Sequence, residues 1–159
     1  MKLYFVRHGK AQQFAASDEA RLLTEDGIKS MRNMAEMLRR CGVNPTRIYS
    51  SPRVRAQETA TIIAEALSKP LEITEACNFH FNASAVFQLT NQLHPESEVI
   101  FVGHNPSMSE TVEALTGASV DLNTGAVACV TRVYPPSTNG VILKWLLTPK
   151  IVDSFFANS

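Results

Sequence analysis

Residues 3–9 read Leu3-Tyr4-Phe5-Val6-Arg7-His8-Gly9. Four apolar residues in a row predict a short buried strand. The run then breaks into a cation, an imidazole and a glycine, which reads as a loop leaving the strand's end. A charged pair placed there is of interest because ligands of open α/β sheets bind beyond the carboxyl ends of strands.

The rest of the chain repeats that alternation. Thr24 reads as an N-cap, with Glu25 and Asp26 in the first turn, Ile28, Met31, Ala35 and Leu38 at helical spacing, and Gly42 at the stop. Arg47 to Tyr49 is a second strand. Ser50-Ser51-Pro52 opens a helix whose inner stripe is Ala56, Ala60, Ile63 and Leu67, with serine as cap and Pro52 in the first turn. Pro70 marks its end, and Leu71 to Ile73 is a third, edge strand. Cys77 to Ala83 has no readable period. Ser84 to Leu93 is expected to be a helix, and Val99 to Val102 a strand followed by Gly103-His104-Asn105-Pro106. Asn105 caps the next helix, Pro106 starts it and Gly117 stops it. Two strands, about Ala126 to Val133 and Val141 to Leu147, are expected to close the chain, joined by a Pro-Pro-Ser-Thr-Asn-Gly turn. The pattern predicts one α/β domain over residues 1–159, a three-layer, mostly parallel sheet flanked by helices, with some antiparallel pairing at one side.

Bulk properties narrow the function. The chain has 159 residues, 45% hydrophobic and 19% charged, which is the composition of a globular domain. Lys plus Arg equals Asp plus Glu at 15 each. That balance argues against a nucleic-acid or anionic-membrane coat, so an anion must be met by a local cluster. The N-terminal apolar run is too short for a signal-peptide core and no stretch has the length of a membrane span, which leads to the expectation of a cytoplasmic protein. Cys41, Cys77 and Cys129 lack disulfide or zinc spacing and read as small hydrophobes.

The local cluster is visible. Arg7 and His8 follow the first strand, Arg53 and Arg55 the second, and His104 the fourth, so the topology gathers them at one edge of the sheet. Two of these positions are also helix N-termini, which attract anions. Guanidinium forks hold phosphoryl oxygens, and a neutral imidazole attacks phosphorus. Phosphoryl transfer asks mainly for positioning and fixed positive charge, so no metal or organic cofactor is called for.

Leu3 to Gly9 resembles the signature of the histidine phosphatase superfamily, which includes cofactor-dependent phosphoglycerate mutases. Ser50-Ser51-Pro52-Arg53-Val54-Arg55-Ala56-Gln57-Glu58-Thr59-Ala60 resembles its second block, and Val102-Gly103-His104-Asn105-Pro106 its third. The short length and the run Ser17-Asp18-x-x-Arg21-x-Leu23-Thr24 are similar to the SixA-type phosphohistidine phosphatases within it. The resemblance implies a phosphoglycerate mutase-like fold, His8 as the nucleophile, and Arg7, Arg55 and His104 as phosphoryl-binding groups; the charge spreading in the reaction leads us to expect His104 protonated. The same resemblance places Arg21 near the mouth. Gly9 would clear space for the substrate. Ser51 is either a phosphate contact or simply a helix cap. Arg53 stays open between pocket and surface, and Thr124 and Gly125 between pocket lining and plain turn. Asp18 or Glu19 could simply pair with Arg21, and His94 reads as inert.

Larger members of that family carry an acid that protonates a leaving alkoxide. Here the corresponding region, Asn78-Phe79-His80-Phe81-Asn82-Ala83-Ser84, holds no carboxylate; Glu75 and His80 are the nearest proton donors. A phosphohistidine needs less help, because imidazole is the better leaving group. The expected activity is therefore hydrolysis of phosphohistidine on a histidine-containing phosphotransfer or phosphocarrier protein, with no nucleic acid or membrane as partner. Two rivals are a small-molecule phosphomonoesterase of the same superfamily and a non-catalytic phospho-binding module.

Overall fold

The computed structural model describes residues 1–133 and 140–158. Six strands form one mixed sheet: β1 (Lys2–Arg7), β2 (Arg47–Ser50), β3 (Leu71–Ile73), β4 (Glu98–Gly103), β5 (Val127–Arg132) and β6 (Val141–Leu147). Their order is β3-β2-β4-β1-β5-β6. β3, β2, β4 and β1 run parallel, β5 runs antiparallel to β1, and β6 antiparallel to β5. The parallel core with an antiparallel flank is the arrangement expected from the alternation of elements.

Alternate residues of the strands serve two cores, because successive side chains leave opposite faces of a strand. Tyr4, Val6, Ile48, Ile100 and Val102 point into one core with α1 (Glu25–Arg40), α2 (Val54–Leu67) and α5 (Pro149–Phe156). Leu3, Phe5, Tyr49, Val99 and Phe101 point into the other with α3 (Ala83–Thr90) and α4 (Ser107–Thr116). The continuous apolar run in β1 is thus a strand covered on both faces, with Leu3, Tyr4, Phe5 and Val6 all buried.

Most punctuation works as expected. Thr24 Oγ1 accepts from the Gly27 N–H at 3.0 Å, and Gly117 ends α4 in the left-handed region at φ 74°. Four details differ. α2 begins at Val54, with Arg53 in the capping position and no side-chain cap, so Ser51 does not cap it in the expected way. α4 begins at Ser107, yet Asn105 Oδ1 still accepts from the Ser109 N–H at 3.2 Å, doing a cap's work one residue early. The helix expected over Ser84–Leu93 runs Ala83–Thr90, capped by Asn82. The chain does not close on two strands: α5 follows β6, with Thr148 extended before it and Pro149 at its start. Proline fits there because its missing N–H has no partner in a first turn. Residues 134–139, which hold most of the expected turn between β5 and β6, lie outside the described residues.

Among the described residues, no helix is long and apolar enough to cross a membrane.

Candidate active site

The parallel arrangement of β1, β2 and β4 brings three chain segments to the same sheet edge. Arg7 at the end of β1 pairs in register with Gly103 at the end of β4, and Ser50 of β2 with Val102. The residues that follow, His8, Ser51 and His104, therefore meet. The ring centroids of His8 and His104 are 5.3 Å apart. Glycine is required at 103 by packing: a Cβ there would lie 2.6 Å from Met108 Cε and 2.7 Å from the Cys77 carbonyl oxygen.

His8 is held from both ring nitrogens. Nδ1 lies 2.7 Å from the Gly9 carbonyl oxygen, and Nε2 lies 3.3 Å from Arg55 Nε. A carbonyl only accepts, so Nδ1 carries the proton and donates, while the Nε2 lone pair accepts from the guanidinium. Burial, followed by the nearby Arg55, Arg7 and Arg21 charges, pushes the His8 pKa down to about 4, against a favourable contribution from the Gly9 carbonyl. The ring is neutral at pH 7, and Nε2 is its unprotonated nitrogen, the lone pair resting on the Arg55 N–H. That is the protonation state an attacking imidazole needs.

Arg55, at the start of α2, is 3% exposed. Besides Nε2 of His8, it donates to the Asp18 carbonyl at 2.8 Å and to Asp18 Oδ2 at 3.2 Å. Arg7 donates to the Leu122 carbonyl at 3.0 Å, and its Nε is buried without a partner among the described residues. His104 is 1% exposed. Its Nε2 is 2.8 Å from Ser51 Oγ, and its Nδ1 is buried with no hydrogen-bond partner among the described residues. Unpaired polar atoms on Arg7 and His104 are costly unless an acceptor completes them. A phosphoryl oxygen is such an acceptor.

Burial, with His8, Arg55 and Arg53 as like charges, drives the His104 pKa down to about 3. Burial and these charges work against the expected protonation of His104, and Asp18 opposes them only weakly. A phosphoryl dianion between the two histidines reverses the dominant charge around it and favours His104 protonation.

These groups line a cleft of about 430 Å³ with Arg7, His8, Lys10, Ala11, Gln13, Arg21, Arg55, Phe79, His104, Asn105 and Thr124 on its walls. Arg21 is on its rim, fixed by bonds to the Gln12 carbonyl and to Asp18 Oδ1. Two expected substrate contacts are placed differently. Gly9 is not on the cleft wall; a Cβ there would lie 2.7 Å from Met31 Cγ, so core packing explains the glycine, and its N–H is held by Thr59 Oγ1 at 3.0 Å. Ser51 is fully buried and faces His104, not the cleft. Arg53 bonds Asp18 and Asn78 and stacks on Phe79. Thr124 is on the wall, while the Gly125 N–H bonds the Arg7 and His8 carbonyls and pins the end of β1. Glu75 and His80 are both exposed and absent from the wall; Glu75 accepts from Asn78 Nδ2 at 3.0 Å.

Thr59, Phe79 and the full reach of Asp18 were not read from the sequence. Thr59 carries a signal, since it lies one helical turn beyond Arg55. Phe79 sits in a stretch without periodicity.

Comparison with known proteins agrees with the geometry. Residues 3–81 match the sequence model of the histidine phosphatase superfamily (branch 1). A phosphohistidine phosphatase SixA homologue of Haemophilus influenzae is 34% identical over 128 residues, covering 74% of this chain and 78% of that protein. The chain belongs to the histidine phosphatase superfamily. It is a SixA-like phosphatase. The phosphohistidine phosphatase SixA of Escherichia coli K12 is 29% identical to it over 157 residues, covering 94% of both chains. A structure of the protein histidine phosphatase SixA complexed with tungstate superposes with a TM-score of 0.85 at 26% identity, covering 96% of this phosphatase and 99% of that chain.

Proposed function

We propose that this phosphatase hydrolyses phosphohistidine on a partner protein, by way of a covalent phosphohistidine on its own His8. The observation that carries the reading is the make-up of the cleft: a neutral imidazole with Nε2 unprotonated, ringed by arginines, and no carboxylate among the described residues of the wall. The named relatives are phosphohistidine phosphatases, and one of them binds tungstate, a tetrahedral oxyanion like phosphate.

His8 Nε2 attacks phosphorus in line. The bond from Nε2 to phosphorus forms as the substrate's P–N bond breaks, and that electron pair goes to the departing imidazole nitrogen. An imidazole already protonated on its other nitrogen leaves neutral, so no general acid is needed. An alkoxide would need one. Arg7, Arg55 and the Nδ1 side of His104 hold the phosphoryl oxygens. Water then attacks phosphorus on His8; the P–Nε2 bond breaks, its electron pair returns to Nε2, a proton of the water passes to a phosphoryl oxygen, and orthophosphate leaves. The arginines and His104 supply the positive charge in every step.

The partner is a histidine-containing phosphotransfer or phosphocarrier protein that delivers its phosphorylated ring into the open cleft. The test is loss of label from a phosphohistidine protein, with wild type beside His8→Ala and a chelator present throughout. Removal by wild type alone, with label trapped on His8 early in turnover, is the expected result. Failure of wild type to remove label while it cleaves p-nitrophenyl phosphate would leave a phosphatase with a different substrate.

A further inference from the structure

The cleft wall is almost wholly polar, with one large exception. Phe79 is 42% exposed and is the only bulky apolar side chain among the described residues of the wall. Its neighbours fix it. Arg53 lies over the ring, 4.1 Å from its centroid. Asn78 Oδ1 accepts from both Arg53 Nε at 3.2 Å and the Phe79 N–H at 3.0 Å. Asp18 holds the far side of Arg53 at 2.8 Å. An exposed phenyl group this constrained is preorganised rather than a stray surface apolar residue.

Its position along the cleft follows from burial. His8 and His104 form the floor, 7% and 1% exposed, and Phe79 stands beside them at the mouth, its ring centroid 4.7 Å from that of His104 and tilted by 55°. In an in-line reaction the attacking atom and phosphorus lie about 3 to 3.5 Å apart. The leaving atom is one bond further out, on the side away from His8. It departs toward the mouth, where the Phe79 ring is exposed on the wall.

We propose that Phe79 is a specificity-determining residue: a fixed aromatic platform on which a planar, aromatic leaving group packs as it departs. This rests on the functional reading above and narrows it, because it assigns recognition of the imidazole ring itself to a named side chain. Offset or tilted packing between rings adds affinity beyond buried area. The contact is made when the ring leaves in line, so it acts on kcat/KM for aromatic leaving groups and not for compact ones.

Two small P–N substrates separate ring recognition from phosphoryl chemistry. Phosphoimidazole releases an aromatic ring and phosphoramidate releases ammonia. With Phe79→Leu, kcat/KM for phosphoimidazole is expected to fall roughly three- to tenfold, while phosphoramidate stays within about twofold of wild type. Phe79→Tyr, which restores the ring face, should recover the phosphoimidazole rate. An equal fall on both substrates would show a general structural role and overturn the platform, as would no fall on either. Wild type that cleaves phosphoramidate but not phosphoimidazole overturns the platform alone; wild type that cleaves neither compound and removes no label from a phosphohistidine protein overturns the functional reading and the platform with it. That outcome is distinct because it is seen before any substitution is made.

Discussion

The carboxylate of Asp18 is shared among three guanidinium groups, those of Arg21, Arg53 and Arg55. Its side chain is half exposed, and the Arg21 hydrogen bond, with further help from Arg55 and Arg53, lowers its pKa. It orients Arg55 but also places an anion beside a phosphoryl site. Asp18→Asn should therefore bind orthophosphate more tightly, by a factor of about three to ten at low salt, since an opposing charge a few ångströms away is worth on the order of 1 kcal/mol in water-like surroundings. It should lower kcat as Arg55 loses its brace. Product-inhibition constants and turnover read the two effects separately; weaker phosphate binding in the variant would refute the repulsion. His104 supports a second prediction. Its pKa near 3 leaves it neutral at pH 7, and a bound dianion raises that value. Orthophosphate binding should then take up a proton, visible as a dependence of calorimetric heats on the ionisation enthalpy of the buffer. Equal heats in two such buffers would mean that His104 stays neutral. Arg7, His8, Arg55 and His104 could be found from the sequence because each ends or directly follows a strand or opens a helix. Ser51 was ambiguous because the same hydroxyl can cap a helix or meet an imidazole, and only tertiary contact decides.

At the level of elements, α2 does more than present Arg55. Thr59, buried one turn later, donates to the Arg55 carbonyl at 2.8 Å and accepts from the Gly9 N–H at 3.0 Å. This ties the helix to the loop that carries His8. Thr59→Val keeps the shape and leaves the Gly9 N–H buried without an acceptor, which costs about 1–3 kcal/mol. Chemical denaturation should show a loss of that size, with a larger proportional loss of turnover than of substrate affinity, because the His8 loop loses its anchor. Unchanged stability would mean that Gly9 finds another acceptor. Strands and most helices were readable because buried strands are short apolar runs and caps have strong residue preferences. α5 was not: eight residues after an apolar strand carry too short a period to separate from it, and the helix exists because Val152 and Phe156 pack on α1 and its neighbours.

For the molecule as a whole, both floor histidines bear on acid stability. Their pKa values are about 4 and about 3, below the ordinary 6.5, chiefly through burial. Between pH 6.5 and 4 the unfolded chain protonates both while the folded one keeps them neutral, so stability falls as pH falls, by on the order of 1 kcal/mol per pH unit for each histidine. Stability is fully present above about pH 7. Denaturation midpoints at pH 7.5 and 5 should differ for wild type and differ less for His104→Gln; identical slopes would place the acid sensitivity elsewhere. The order of apolar runs, caps and glycines was enough by itself to determine an α/β sheet with antiparallel pairing at one side, and the placement of Arg7, His8, Arg55 and His104 at one sheet edge, because parallel strands carry their carboxyl ends to the same side. What only the tertiary structure decided was local and non-periodic: which nitrogen of His8 is unprotonated, that burial depresses the His104 pKa, that Gly9 answers to Met31, and that Phe79 stands at the mouth. Each depends on atoms brought together from distant segments, and no spacing along a single chain encodes a hydrogen-bond partner or a ring contact.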